Sequence, residues 1–274
     1  MTSSSQIYQQ GVKIAAVAVA QRLDVTLRLV RNAGTAKLDD LASRLGVSEM
    51  TVRRDLDELQ RRGLVTRIRG GATAVDVPEN GFAARAGWQA GLKDRIGRAA
   101  AELVEPGSTV LLDAGTTTVH VARALLDRAP LTIATLSLPV AEALADQPGI
   151  RLLVLGGEVR PGERSLAGPV TTAVLATLSF DVFVMSIGGI TAAGWSEFTL
   201  EDAAVKQAGL RQAARSVVVA DASKLGVRAF ARVAELGAVE RLVTDASARD
   251  PRLTPAAQDT LAALENADVE VTTA

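Results

Sequence analysis

The chain has no cysteine among its 274 residues. Disulfides and thiolate metal sites are therefore excluded. The absence suits a reducing cytoplasm, which is the location we expect. Histidine occurs once, at His120. That argues against a histidine-based metal centre and against a Ser-His-Asp triad, and no metal or organic cofactor is expected. A lone histidine at the start of a helix-like stretch reads as packed or solvated. Long apolar runs are missing too. Ile14–Ala20 is far too short to span a bilayer, so no membrane partner is expected. With Lys13 before it, the run faintly imitates a signal peptide, but the residues after it are patterned for folding and not for cleavage.

What is present is a core-forming composition, 48% hydrophobic, and a hidden charge asymmetry. The net charge is only −1. Residues 1–75 carry 12 Lys/Arg against 7 Asp/Glu, and the remainder 18 against 24. A basic first quarter on an acidic body points to a polyanionic partner for that quarter alone.

The basic quarter is patterned as three helices and a hairpin. Leu23, Leu27 and Val30 recur at helical spacing over 22–33, with Arg22, Arg28 and Arg31 between them. Gly34 closes that helix. A second, over about 37–45, offers Leu38, Leu41, Ala42 and Leu45 before a turn at Gly46. The third begins at Ser48, a good N-cap, with Glu49 where the dipole favours a negative charge. Gly63 and Leu64 fit a Schellman-type stop. At about 100° per residue, Val52, Leu56 and Leu59 share one stripe. Met50, Arg54 and Arg61 lie opposite, with Arg53 and Thr51 on the flanks. A cationic face with hydroxyls at its N-terminal end suits a helix entering a major groove. "VTRIRGGATAV", 65–75, reads as a two-stranded wing with Arg67 and Arg69 placed for phosphate or minor groove.

We therefore expect a winged helix-turn-helix at 20–75, a connector at 76–94 pinned by Phe82 and Trp88, and a second domain at 95–274. In the last, short apolar runs at Thr109–Leu112, Leu131–Thr135, Leu152–Leu155, Val182–Ser186, Val217–Ala220 and Leu242–Thr244 alternate with helical patterns. That is an α/β pattern with a largely parallel sheet, whose ligands bind beyond the strands' carboxyl ends. Those ends carry "DAGTTT" 113–118, "TLSLP" 135–139, Gly156-Gly157, "SIGGI" 186–190 and "DASK" 221–224. Gly115 lets the backbone approach a ligand. Thr116, Thr117 and Thr118 offer donors at a helix N-terminus, where an anion is favoured. Ser137, Gly157 and Gly188 line the same end. Lys224 is one of five lysines beside 25 arginines, and we expect it to supply the countercharge. Residues 255–266 read as a helix, followed by a short strand.

"LGVSEMTVRRDLDELQRRGLVTRIRGGA" resembles the DeoR family of bacterial transcription regulators, with Arg69 where that family usually has histidine. Residues 82–246 are similar to its sensor domain through "DAGTTT", "TLSL", "LGG", "AGP", "SIGGI", "EDAAVK", "DASK" and "LVTD". The resemblance implies a ribose-5-phosphate-isomerase-like sensor fold, operator DNA as partner, and a phosphorylated sugar or similar metabolite as effector. A homo-oligomer, dimer or tetramer, is expected, since one small head alone binds DNA weakly. The isomerases carry a carboxylate-rich loop where this chain has Ser186–Ile190. We therefore expect a repressor that binds and does not catalyse, with Asp113 orienting the loop or a ligand hydroxyl. The alternative is an isomerase-like enzyme with an appended DNA-binding head, drawing its base from Asp113, Glu197, Glu201 or Asp202.

Overall fold

The computed structural model describes residues 19, 22, 23, 25–27, 29, 30, 35–61, 65–74 and 81–274. Two units emerge, residues 1–80 and 81–274. The stop at Gly63-Leu64, Gly34, the lead-in before residue 19 and connector residues 76–80 lie outside the described residues.

In the first unit, residues 22, 23, 25–27, 29 and 30 are helical. Helix α1 (Leu38–Leu45) follows, ended by Gly46 at φ 65°, a left-handed position glycine fills without strain. Helix α2 spans Glu49–Arg61. Leu23, Leu27, Val30, Leu38, Leu41, Val52, Leu56 and Leu59 are all buried. Each surrenders its apolar surface on folding, which is the physical meaning of the helical spacing.

The hairpin is β2 (Val65–Ile68) with β3 (Gly71–Ala74), joined through Arg69-Gly70. The sheet differs from the expected two-stranded wing: β1 (Thr35–Lys37) pairs antiparallel with β3. Three residues of mixed character carry no period to betray such a strand. The strand pairing also accounts for Gly71. A Cβ at that position would sit 2.1 Å from the Ala36 carbonyl oxygen.

The second unit is built on seven parallel strands in the order β15-β14-β12-β9-β4-β5-β6. They are β4 (Thr109–Leu112), β5 (Leu131–Thr135), β6 (Ile150–Val154), β9 (Phe180–Met185), β12 (Ala213–Val219), β14 (Arg241–Thr244) and β15 (Glu270–Thr273). Side chains alternate between two cores. Val110, Leu112, Val182, Val184, Val217 and Val219 enter one, while Leu111, Phe183, Met185 and Val218 enter the other. Burial on both faces is why these strands read as unbroken apolar runs.

Helices cover both faces. Helix α3 (Phe82–Ala86) and α4 (Ala90–Ala101) belong to this unit. So the described part of the expected connector, 81–94, is folded onto the sensor body. Helix α5 (Thr116–Ala124) lies close against α4, because a Cβ at Gly97 would meet the His120 backbone at 2.7 Å. Helix α6 (Leu138–Leu144) follows β5, and α7 (Pro169–Leu175) follows the hairpin β7 (Glu158–Arg160)–β8 (Ser165–Ala167). Helix α8 (Leu200–Gln212) leaves a small antiparallel sheet of β10 (Gly189–Thr191) and β11 (Gly194–Glu197), whose third strand, β13 (Ala231–Ala234), follows later in the chain. The tail forms α9 (Pro255–Asn266) before β15, the expected helix and strand. Among the described residues, no helix is long and apolar enough to cross a membrane.

The chain runs outward from β4 through β5 to β6, and from β9 through β12 and β14 to β15. The order therefore reverses between β4 and β9. Open α/β sheets place their ligand crevice at such a switch point.

Candidate DNA-binding and effector sites

On α2 the expected division of faces holds. Val52, Leu56 and Leu59 are fully buried, while Met50 is 59% exposed and Arg53, Arg54 and Arg61 are exposed. Ser48 accepts from the Thr51 amide at 3.2 Å, and the two hydroxyls lie 3.0 Å apart. That is the N-cap, with a hydroxyl pair at the helix's leading end. The cations are not equivalent. Arg53 pairs with Glu49 at 3.9 Å, and Arg61 with Glu58.

Arg67 departs from expectation. Its guanidinium turns back onto α2, donating to Asp57 Oδ1 at 2.5 Å and the Arg53 carbonyl at 3.2 Å. Asp57, three residues before Gln60, captures it across the fold. Arg67 therefore fastens wing to helix, leaving Arg69, exposed in the turn, as the wing's outward cation. A second fastening was invisible in the sequence. Asp55, 3% exposed, receives Arg22 through both carboxylate oxygens at 2.6 and 2.9 Å. This hydrogen bonding raises the Arg22 guanidinium above its ordinary value.

In the second unit, Asp113 ends β4 and Ser186 ends β9, side by side at the switch point. Asp113, 1% exposed, accepts from the Ser186 amide at 2.9 Å and its hydroxyl at 3.0 Å. Lys206 of α8 also donates to Asp113 and lies 3.3 Å from Glu197 of β11. Lys206 is 3% exposed and Glu197 5%. Burial opposes the Lys206 charge, yet Asp113 and Glu197 outweigh it and hold the ammonium above the usual lysine range. Burial pushes the Glu197 carboxyl up, with Lys206 pulling the other way.

Gly209 sets this reach. A Cβ there would meet Phe183 at 2.7 Å, so α8 rides directly on the sheet. Gly115 and Gly188 are narrow for a related reason. A Cβ at Gly115 would lie 2.9 Å from Ser186, and one at Gly188 2.8 Å from Glu197.

Thr116, Thr117 and Thr118 begin α5 and are all buried. First-turn amides have no partner within a helix and face this end of the sheet. The Thr118 hydroxyl is turned inward, donating to the Gly115 carbonyl at 2.9 Å. Ser137 caps α6, accepting from Val140 at 3.3 Å. Gly157 serves packing: a Cβ there would strike the Thr171 hydroxyl at 2.0 Å. Lys224 lies near Phe198 and Asp221. Its ammonium sits 5.9 Å over the Phe198 ring and helps lower Asp221, whose burial acts in the opposite sense. Asp113 itself pairs with Lys206.

Two family descriptions match this chain. A DeoR-like helix-turn-helix domain covers residues 21–77, and a DeoR C-terminal sensor domain covers 88–246. The chain belongs to the DeoR family. Among its DeoR-family relatives is the HTH-type transcriptional repressor CsqR of Escherichia coli strain K12, 36% identical over 82% of this chain and 87% of that one. The glycerol-3-phosphate regulon repressor of the same organism is 32% identical over 82% and 90%. A ribose 5-phosphate isomerase A from Methanocaldococcus jannaschii, at 16% identity and TM-score 0.37, covers 51% of this chain and 57% of its own.

Sequence reasoning over this DeoR-family chain missed Lys206 as the central cation. It stood in "EDAAVK" as a hallmark without a role. Its scarcity was a signal, since Lys224 was singled out on that ground. Lys93 is a second omission: it is 3% exposed and donates to the Arg85 carbonyl at 2.6 Å.

Proposed function

We propose that this chain is a repressor of carbohydrate genes whose operator affinity is set by a phosphorylated sugar or related metabolite. The observation that carries the reading is the buried Asp113–Lys206–Glu197 cluster beside the N-terminus of α5. Such a site has two chemistries. The first-turn amides favour a phosphate. The carboxylate–ammonium cluster offers acceptors and donors to sugar hydroxyls, while Lys206, already balanced by two carboxylates, contributes little net positive charge. The relatives' names, a glycerol-3-phosphate regulon repressor and a lactose phosphotransferase system repressor, point the same way.

Binding without turnover suits the loop Ser186–Ile190, which carries no carboxylate of its own, while Asp113 Oδ2 accepts from Ser186 and Lys206. We read the working protein as a cytoplasmic homo-oligomer, dimer or tetramer, that presents two or more heads to DNA. Fluorescence anisotropy on the protein's own upstream DNA, at fixed salt, tests the reading. Addition of ribose 5-phosphate, glycerol 3-phosphate and other sugar phosphates is expected to shift operator affinity for one of them. A complex indifferent to all of them refutes it.

The enzyme alternative gains one observation. Glu197 brings a carboxylate against Gly188, in the loop that lacks one of its own. Isomerisation of ribose 5-phosphate, lost in Asp113→Asn, would establish that alternative.

A further inference from the structure

The tip of the hairpin β7–β8 touches both the helix that carries Lys206 and the start of the second unit. Arg160, the last residue of β7, pairs with Asp202 in the first turn of α8, the helix that carries Lys206, while its carbonyl accepts from the Glu163 and Arg164 amides of the turn at 3.3 and 3.2 Å. Asp202 is also locked into the helix cap, receiving the Thr199 hydroxyl at 3.0 Å while its amide donates to Thr199 at 3.3 Å. The hairpin's other strand is stitched to the loop after β5. Leu166 donates to the Leu136 carbonyl at 2.7 Å, and Leu138 to the Arg164 carbonyl at 2.9 Å. Two walls of the site thus bear on one hairpin.

Its tip meets residues 81–93. The Phe82 amide donates to the Gly162 carbonyl at 2.8 Å, and a Cβ on Gly81 would press that same oxygen at 3.0 Å. Glu163, 8% exposed, pairs with Arg85. The Arg85 carbonyl in turn receives buried Lys93. The tip has a defined shape, with Gly162 at φ 81° and Arg164 at φ 56°. Residue 81 is where the chain arrives from the DNA-binding unit.

We propose that the hairpin Glu158–Ala167 is the coupling element that carries occupancy of the strand-end site to residues 81–93, where the chain enters the second unit from the DNA-binding one. The proposal rests on the reading of that site as an effector site. Its physical content is a short series of discrete contacts. Helix α8 moves Asp202, Asp202 holds Arg160, and the hairpin tip holds Phe82 and Arg85. A ligand that bridges Lys206 and the start of α5 shifts α8, and the hairpin follows as one piece. Ligand-dependent coupling of this kind typically changes affinity by about five- to 150-fold.

Amide hydrogen exchange of the full chain, without ligand, tests the mechanical part. Asp202→Asn and Arg160→Ala are each expected to speed exchange at 81–93 by roughly tenfold, leaving β4 and β9 protected. Glu163→Gln is expected to loosen 81–93 without changing 200–212, and Arg160→Lys to restore part of the protection. Unchanged exchange at 81–93 in Asp202→Asn, with the strands still protected, overturns the proposal. Operator anisotropy supplies a second arm, with glycerol 3-phosphate, ribose 5-phosphate and inorganic phosphate as probes. Arg160→Ala is expected to bind the active probe in calorimetry while its operator affinity no longer responds. A response equal to the wild-type protein overturns the coupling role. If the wild-type protein ignores all three probes, the effector reading falls, and the exchange arm still decides the hairpin.

Discussion

The head's cationic face and the sensor's cationic centre use charge in opposite ways. On α2, Arg53 and Arg54 are exposed, and their value lies in a field that a polyanion can meet. In the sensor, Lys206 is buried between Asp113 and Glu197, so its field is cancelled and its value lies in geometry. Surface charges are cheap to change for stability and costly for binding. Buried ones reverse that order, because an ion left unpaired out of water is heavily penalised.

The largest effect should come from Lys206→Met. It strands two buried carboxylates, and we expect a loss of about 3–5 kcal/mol in the second unit by urea unfolding. Asp113→Asn combined with Lys206→Met should recover part of it. An undiminished midpoint for Lys206→Met would break the comparison at its buried end. Next is Gly71→Ala, which drives a methyl into the Ala36 carbonyl. A cost of about 1–3 kcal/mol is expected in the first unit, with operator binding weakened and the second unit unmoved.

Arg54→Ala should leave both unfolding transitions in place and weaken operator binding by about 1–3 kcal/mol. Arg53→Ala, whose charge is already shared with Glu49, should cost less and change the salt slope less. Equal losses would show that the Glu49 pair dissolves on DNA.

The smallest effect is a pH profile. Burial raises the Glu197 carboxyl above its usual 4.5. A carboxyl raised in the folded state favours folding fully below its unfolded value, and that contribution is lost as pH rises through the folded one. Wild-type stability should therefore fall, relative to Glu197→Gln, as pH climbs above 4.5. Parallel urea midpoints for the two proteins across that range would assign the burial cost elsewhere.

Much of the architecture was legible in the sequence. The stripe of Val52, Leu56 and Leu59 follows from helical period alone, and both units could be named from local motifs. The strand ends were legible too, because doubly buried parallel strands leave continuous apolar runs, each stopping at a glycine, hydroxyl or aspartate. Local signals did not foretell the contacts of Arg67, Gly157 and Lys224. Each was judged by its sequence neighbours, while the fold sets Arg67 on Asp57, Gly157 against Thr171, and Lys224 near the Phe198 ring and Asp221.

The sequence by itself determined the elements, the charge division between the units and the kind of ligand each end could favour. These depend on periodicity, caps and composition, which act over a few residues. Tertiary structure decided that Asp113, Glu197 and Lys206 share one site although they come from a strand end, a small antiparallel sheet and a helix. It decided as well that Arg160 and Glu163, on one turn, reach two different elements, α8 and α3. Such pairs are set by which strand lies beside which, and by glycines such as Gly209 that let α8 approach the sheet. Sequence separation carries no trace of either.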